Sequence, residues 1–110
     1  MSTARSTELL ESITAGLVNA VTYVHTQPAI GASTTAALAA NAARKYAFFV
    51  NDSDSTIYIK AGAAAVLNQG IRIAAGGSYE MSALKGNLDT RAINGISSGA
   101  AKALLVTEGT

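Results

Sequence analysis

The sequence predicts a mainly β fold, an antiparallel β-sandwich or a small jelly-roll-like barrel, with an N-terminal arm or short helix. Two observations carry this prediction. From residue 44 onward, apolar and polar residues alternate in short runs, which is the pattern of half-buried strands. Glycine and Asn/Asp turn signals separate these runs roughly every 8–12 residues. Loops this short cannot hold crossover helices, so the strands are expected to pair antiparallel.

The predicted strands follow one another closely. Residues 45–51 and 56–60 flank a polar turn and together predict an antiparallel hairpin. Further strands are expected at 71–73, 78–82, 91–97 and 102–108. A bulge at Asn94-Gly95 is expected, because only an extra residue there brings Ile93 and Ile96 to the same face. The residues expected to point inward are Phe48, Val50, Ile57, Ile59, Ile71, Ile73, Tyr79, Ile93, Leu104 and Val106.

The first part of the chain is rich in Ala, Ser and Thr and is less regularly patterned. It favours a short helix at about 7–15 followed by a strand at about 18–26, although 17–26 also has the composition of a strand in its own right. Within one domain we therefore distinguish residues 1–40, an N-terminal arm with the first strand or strands that contacts a partner, from residues 41–110, the sandwich core. The apolar residues expected to anchor the arm on that partner are Leu9, Leu10, Ile13, Leu17 and Val21.

Composition favours a protein that associates with other subunits. Apolar residues make up 49% of the 110-residue chain, but aromatics are only 5%, tryptophan is absent and much of the apolar share is alanine. The core of a free monomer would be thin, so we expect a homo-oligomer. Basic residues are scattered and the net charge is +1, which argues against a nucleic-acid surface. No apolar run is long enough to span a bilayer, and residues 1–8 lack the basic-then-apolar layout of a signal peptide, so we expect a soluble product of the cytoplasm.

No residue pattern indicates catalysis, a metal or a cofactor. The chain has no cysteine, which excludes disulfides and thiolate metal sites. His25 is the single histidine, and it lies in a strand-like run without a recognisable nucleophile and acid beside it. Asp52 and Asp54 have the spacing of half a calcium loop, but the glycine and the closing glutamate are missing. We therefore expect no enzyme, no metal site and no cofactor. The four tyrosines leave a carbohydrate-binding β-sandwich as an alternative of another class.

From residue 41 onward the sequence resembles a family of small structural proteins of tailed bacteriophages. The resemblance rests on five motifs in order: 41–51 (NAARKYAFFVN), 53–59 (SDSTIYI), 70–80 (GIRIAAGGSYE), 92–99 (AINGISSG) and 105–109 (LVTEG). These motifs are strands and turns rather than catalytic signatures. Residues 1–40 fall outside them.

The resemblance implies a role in the virion, and a capsid decoration (cement) protein is the role it favours. Such proteins are small, β-rich and bound in many copies, commonly as trimers, to the outside of the head shell. The implied partners are the major capsid protein or other virion subunits, the implied oligomer is a trimer, and the implied location is the capsid surface after synthesis in the host cytoplasm. A head-to-tail connector or tail component of the same virion is the alternative within this class.

Overall fold

The computed structural model describes residues 19–110, and all regular structure in that range is β-strand. The predicted helix at about 7–15 lies outside the described residues. Between residues 19 and 110 there is no helix long and apolar enough to cross a membrane. The strands are β1 (Tyr23–Thr26), β2 (Ala29–Ile30), β3 (Thr35–Leu38), β4 (Tyr46–Asn51), β5 (Ile57–Ala61), β6 (Ile71–Ile73), β7 (Ser78–Ser82), β8 (Ile93–Ser97) and β9 (Lys102–Gly109).

The strands form two antiparallel sheets, which confirms the predicted fold class. The five-stranded sheet has the order β1-β9-β4-β7, with β2 also pairing with β9, and the four-stranded sheet has the order β3-β8-β5-β6. The pairs β2–β9, β3–β8, β4–β7 and β5–β6 are nested. The chain therefore runs as one long double ribbon that is rolled so that β4 meets β9 and β5 meets β8. This winding is the jelly-roll arrangement.

The core lies between the two sheets and draws on almost every strand. Its large buried side chains are Ile30, Phe49, Ile57, Ile59, Ile73, Met81, Ile93, Leu104 and Val106. The predicted inward positions Ile57, Ile59, Ile73, Ile93, Leu104 and Val106 are confirmed, while Ile71 and Tyr79 are partly buried and pack against this cluster.

Part of the predicted arm belongs to the folded core. Strands β2 and β3, within residues 1–40, pair with β9 and β8. The Ile30 side chain is fully buried. A Cβ at Gly95 would come within 3.1 Å of its Cδ1 atom, so the glycine leaves the space that Ile30 fills. The folded core therefore extends at least as far back as residue 29. Of the predicted strand at about 18–26, residues 23–26 form β1.

The predicted hairpin of residues 45–51 and 56–60 is wrong. β4 pairs with β7 and β9, whereas β5 pairs with β6 and β8 in the other sheet. The polar segment between them therefore carries the chain from one sheet to the other. The Asn51 side chain fixes this crossing, because its Nδ2 donates to the carbonyls of Ser55 at 2.7 Å and Ile73 at 2.9 Å.

The predicted inward face of β4 is also wrong. Ala47, Phe49 and Asn51 are buried, whereas Phe48 and Val50 lie on the opposite, partly exposed face. Both faces of this strand are largely apolar, and one of them ends in Asn51. The alternation pattern alone therefore predicted that the other face, with Phe48 and Val50, points into the core. Asn51 can be buried because its side-chain amide is fully engaged in hydrogen bonds at the sheet crossing.

The predicted bulge at Asn94-Gly95 is not in β8. That strand keeps a regular register against β5, from Ile57 opposite Ser97 to Ala61 opposite Ile93. The irregularity is in the neighbouring strand β3, where the register shifts between Ala36 and Leu38. Ile96 accordingly points away from the inter-sheet core, opposite Tyr58, and is nevertheless buried on that side.

A buried arginine ties the ends of several elements together. The Arg44 residue is 1% exposed, and its Nε donates to Glu108 Oε2 at 2.7 Å. Its Nη1 donates to the carbonyls of Asp89 and Arg91, and its Nη2 to that of Ala39. The guanidinium therefore joins the start of β4 to the end of β9 and to the loop before β8.

Candidate protein-binding site

The five-stranded sheet has one face in the core and one face turned outward. Because paired residues lie on the same side of an antiparallel sheet, the register defines that outer face. Tyr46, Phe48 and Val50 of β4 lie opposite Gly109, Thr107 and Leu105 of β9, and these in turn lie beside Tyr23 and His25 of β1. We call the part of this face on β1, β4 and β9 the outer sheet face: Tyr23, His25, Tyr46, Phe48, Val50, Leu105, Thr107 and Gly109. On β7, Glu80 lies on the same side of the sheet, opposite Phe48.

At one end of the outer sheet face there is a shallow groove. Its floor is apolar and consists of Phe48, Val50 and Leu105, of which Leu105 is 38% exposed. Its polar rim includes His25, whose Nδ1 lies 2.9 Å from Thr107 Oγ1. An apolar floor with a polar rim is the arrangement found at protein-binding surfaces and at small-ligand sites.

At the other end, the chain crosses the sheet before β1 begins. A Cβ on Gly109 would lie 2.6 Å from Ala20 Cβ and 2.9 Å from Tyr23 Cε1. Glycine at this position therefore allows Ala20 and Tyr23 to pack directly on β9. Thr22 and Thr110 exchange backbone hydrogen bonds, with N···O distances of 3.1 and 2.8 Å, which fixes residues 20–23 beside the C-terminus.

Tyr46 is held in place at this end by a charged pair. Its hydroxyl donates to Glu80 Oε2 at 2.6 Å, and Lys85 forms an ion pair with the other oxygen of that carboxylate. The hydrogen bond to Glu80, together with partial burial, raises the pKa of Tyr46 to about 12. Hydrogen bonds from Lys85 and Tyr46 lower the pKa of Glu80. The Tyr23 ring contacts Tyr46 edge to face, with ring centroids 6.0 Å apart.

The residues considered for chemistry lie apart from one another. His25 lies on the outer sheet face beside a threonine rather than a carboxylate. Asp54 forms an ion pair with Lys102, with an Oδ1 to Nζ distance of 2.7 Å, and this contact lowers the pKa of its carboxyl group. Among residues 19–110, no group of three or more His, Cys, Asp or Glu side chains is placed to hold a metal ion.

Of the five predicted anchor residues, the structure places one. Val21 is 84% exposed and lies next to the outer sheet face, two residues before Tyr23. Leu9, Leu10, Ile13 and Leu17 lie outside the described residues. That Phe48, Val50 and Leu105 line one surface groove could not be predicted from the sequence. The available signal was the apolar character of both faces of residues 46–50, which is unusual for a strand with one face in water.

Comparison with known proteins gives structural likenesses only. No protein-family model matches the chain, and no curated protein matches it. A cupin-2 domain protein from Shewanella frigidimarina is similar over 84% of this chain and 79% of its own, with 11% identity and a TM-score of 0.49. A Bacillus protein from endospore appendages, described as disulfide-linked pili, is similar over 84% of this chain and 89% of its own, with 18% identity and a TM-score of 0.47.

Proposed function

We propose that this chain is a structural subunit of a tailed-bacteriophage virion, and that it decorates the outside of the head shell. The resemblance of the motifs between residues 41 and 109 to small structural proteins of tailed bacteriophages supports a place in the virion. The outer sheet face is the observation that carries the binding role, because it presents an apolar surface on a rigid sheet. Its partner in this proposal is the major capsid protein.

The composition of the outer sheet face suits contact with another protein. Tyr23 and Leu105 are 52% and 38% exposed, and Phe48 and Val50 are partly exposed between them. None of these four side chains is charged. The charged residue Glu80 lies opposite Phe48 on the edge strand β7, and its carboxylate is ion-paired with Lys85. An apolar centre with charges at the margin is the distribution found in protein interfaces.

The N-terminal segment adds to this surface in the proposal. Val21 is exposed beside Tyr23, so any contact made by residues 1–18 would begin at the margin of the outer sheet face. Leu9, Leu10, Ile13 and Leu17 are the apolar anchors we assign to that segment. Each would contribute on the order of 1.5–3 kcal/mol if fully buried against the shell. The trimer implied by the family resemblance would add avidity on a lattice of identical sites.

The location of the protein in particles tests the proposed role. Virions of the phage whose genome carries the gene for this chain are expected to contain the protein in many copies. Gold-labelled antibody against the protein is expected to bind over the head of these virions. Label confined to the neck or tail would contradict decoration and favour the connector or tail role. Absence of the chain from purified virions would contradict a structural role altogether.

A further inference from the structure

β1 forms one edge of the five-stranded sheet, followed along β9 by the two-residue strand β2. All four of its residues are exposed, and within residues 19–110 no strand pairs with its outer side. The reciprocal hydrogen bonds of Thr22 and Thr110 set the alternation along this strand. Val24, two residues further on, therefore directs its backbone N–H and C=O to β9, whereas those of Tyr23 and His25 point away from the sheet. These groups form an open hydrogen-bonding edge.

The other three sheet edges carry features that hinder pairing with a further strand. β7 carries Glu80, which is ion-paired with Lys85. β6 has only three residues, and the central one is Arg72. β3 contains the register shift. Charged side chains, short strands and bulges are the devices by which natural sheets prevent edge-to-edge association.

β1, which has four residues, carries neither a charged Asp, Glu, Lys or Arg side chain nor a register shift. Residues 19–27 contain no Asp, Glu, Lys or Arg, and proline first occurs at position 28. The strand itself, Tyr-Val-His-Thr, is rich in aromatic and β-branched residues. Val21 and Val24 are 84% and 55% exposed on this same edge. An open edge of this composition favours the addition of another strand.

We propose that β1 pairs antiparallel with β1 of a second copy of this chain, which joins the two five-stranded sheets into one continuous sheet. The alternation of hydrogen-bonding groups restricts the register, and one register satisfies both outward-pointing residues of each copy. Tyr23 of each copy lies opposite His25 of the other and exchanges backbone hydrogen bonds with it, so the two Val24 residues face each other on the two-fold axis. Tyr23 then packs beside His25 on the outer sheet face of both copies.

The edge is complementary to itself, and for this reason the proposed occupant is a second copy. A single two-fold rotation pairs the outward N–H and C=O groups of Tyr23 and His25 in each copy with those of the other copy. It also packs the two Val24 side chains against each other and brings no like charges together. The pairing does not depend on the capsid role. A two-fold contact can either form a dimer or link two trimers, so a method that detects the pair itself is needed.

Cysteine cross-linking tests the proposed register. The chain has no native cysteine, so Val24→Cys introduces the single thiol. Residues facing each other at a non-hydrogen-bonded position have Cα atoms about 4.5 Å apart, which is within the range of about 4.4–6.8 Å that a disulfide spans. The Val24→Cys protein is expected to run almost entirely as a covalent dimer on a non-reducing gel after mild oxidation at micromolar concentration.

Two further cysteine variants serve as controls. Val21→Cys is on the same edge and more exposed, but the two copies of residue 21 would be roughly 20 Å apart at about 3.4 Å per residue. Val66→Cys has an exposed fraction of 42%, similar to that of Val24, and lies outside β1. Neither is expected to cross-link. A Val24→Cys protein that stays monomeric, or a Val21→Cys protein that cross-links equally well, would overturn the proposal.

A charge at the axis gives an independent measurement. Val24→Lys places two ammonium groups opposite each other and is expected to weaken self-association by at least tenfold in sedimentation experiments, with an unchanged circular dichroism spectrum. An association constant unaffected by Val24→Lys would overturn the proposal and would place the contact between copies elsewhere, with residues 1–18 or another partner at the β1 edge.

Discussion

Replacing Arg44 by alanine is expected to destabilise the fold by about 3–5 kcal/mol, the cost of removing one partner of a buried ion pair. The substitution leaves the Glu108 carboxylate without its cation. It also leaves three backbone carbonyls without a donor, those of Ala39, Asp89 and Arg91. Urea unfolding followed by circular dichroism at one fixed, low protein concentration measures this loss, and the fixed concentration keeps self-association from altering the result.

Arg91→Ala is the matched control for Arg44→Ala. Arg91 also pairs with a carboxylate, that of Asp89, with an Nη2 to Oδ2 distance of 2.8 Å, but its side chain is 67% exposed. This contact lowers the pKa of Asp89 to about 2. Exposed ion pairs contribute about 0–1 kcal/mol, so the control is expected to lose no more than that. Equal losses for the two variants would contradict the structural role assigned to Arg44.

The adjacent residues Phe48 and Phe49 give the second large effect. Phe49 is fully buried between the sheets, whereas Phe48 points to the outer sheet face. Phe49→Ala is expected to cost about 3–5 kcal/mol, because it removes a large side chain from a packed core. Phe48→Ala is expected to cost less than about 2 kcal/mol, because part of its ring is already in contact with water.

The same unfolding experiment measures both phenylalanine variants, and each serves as the control for the other. The two substitutions remove the same atoms one residue apart, so the difference between them depends on which side of β4 faces the core. A larger loss for Phe48→Ala than for Phe49→Ala would reverse the orientation of β4, and the outer sheet face would then not exist as described.

The position of the strands could be predicted from the sequence, because it depends on local alternation and turn residues. Strands were expected at 71–73 and 78–82, and β6 and β7 occupy those residues. The pairing of the strands could not be predicted in this way. β4 pairs with β9, placing Tyr46 opposite Gly109, and no local pattern records a contact over that distance along the chain. A turn between two neighbouring strands indicated a hairpin, whereas here it connects two sheets.

The orientation of β4 and the candidate site depend on contacts that only the folded chain supplies. Burial of Asn51 is favourable only because two carbonyls from other segments accept its hydrogen bonds. The outer sheet face depends on that orientation, since it places Phe48 and Val50 beside Leu105. Val21 is exposed, and its role in binding a partner stays a prediction.

Binding of surface variants to head shells tests most directly the claim that the outer sheet face is the assembly surface. The shells come from virions of a phage from which the gene for this chain has been deleted.

Leu105 and Leu67 form a matched pair of variants for this assay. They are 38% and 39% exposed, but Leu105 is on the outer sheet face and Leu67 is in the loop between β5 and β6. Leu105→Asp is expected to weaken binding at least tenfold, which corresponds to about 1.4 kcal/mol, because it places a charge in an apolar contact. Leu67→Asp is expected to bind like the unaltered chain. Normal binding by Leu105→Asp together with loss of binding by Leu67→Asp would contradict this account and would place the assembly surface on the β5–β6 loop.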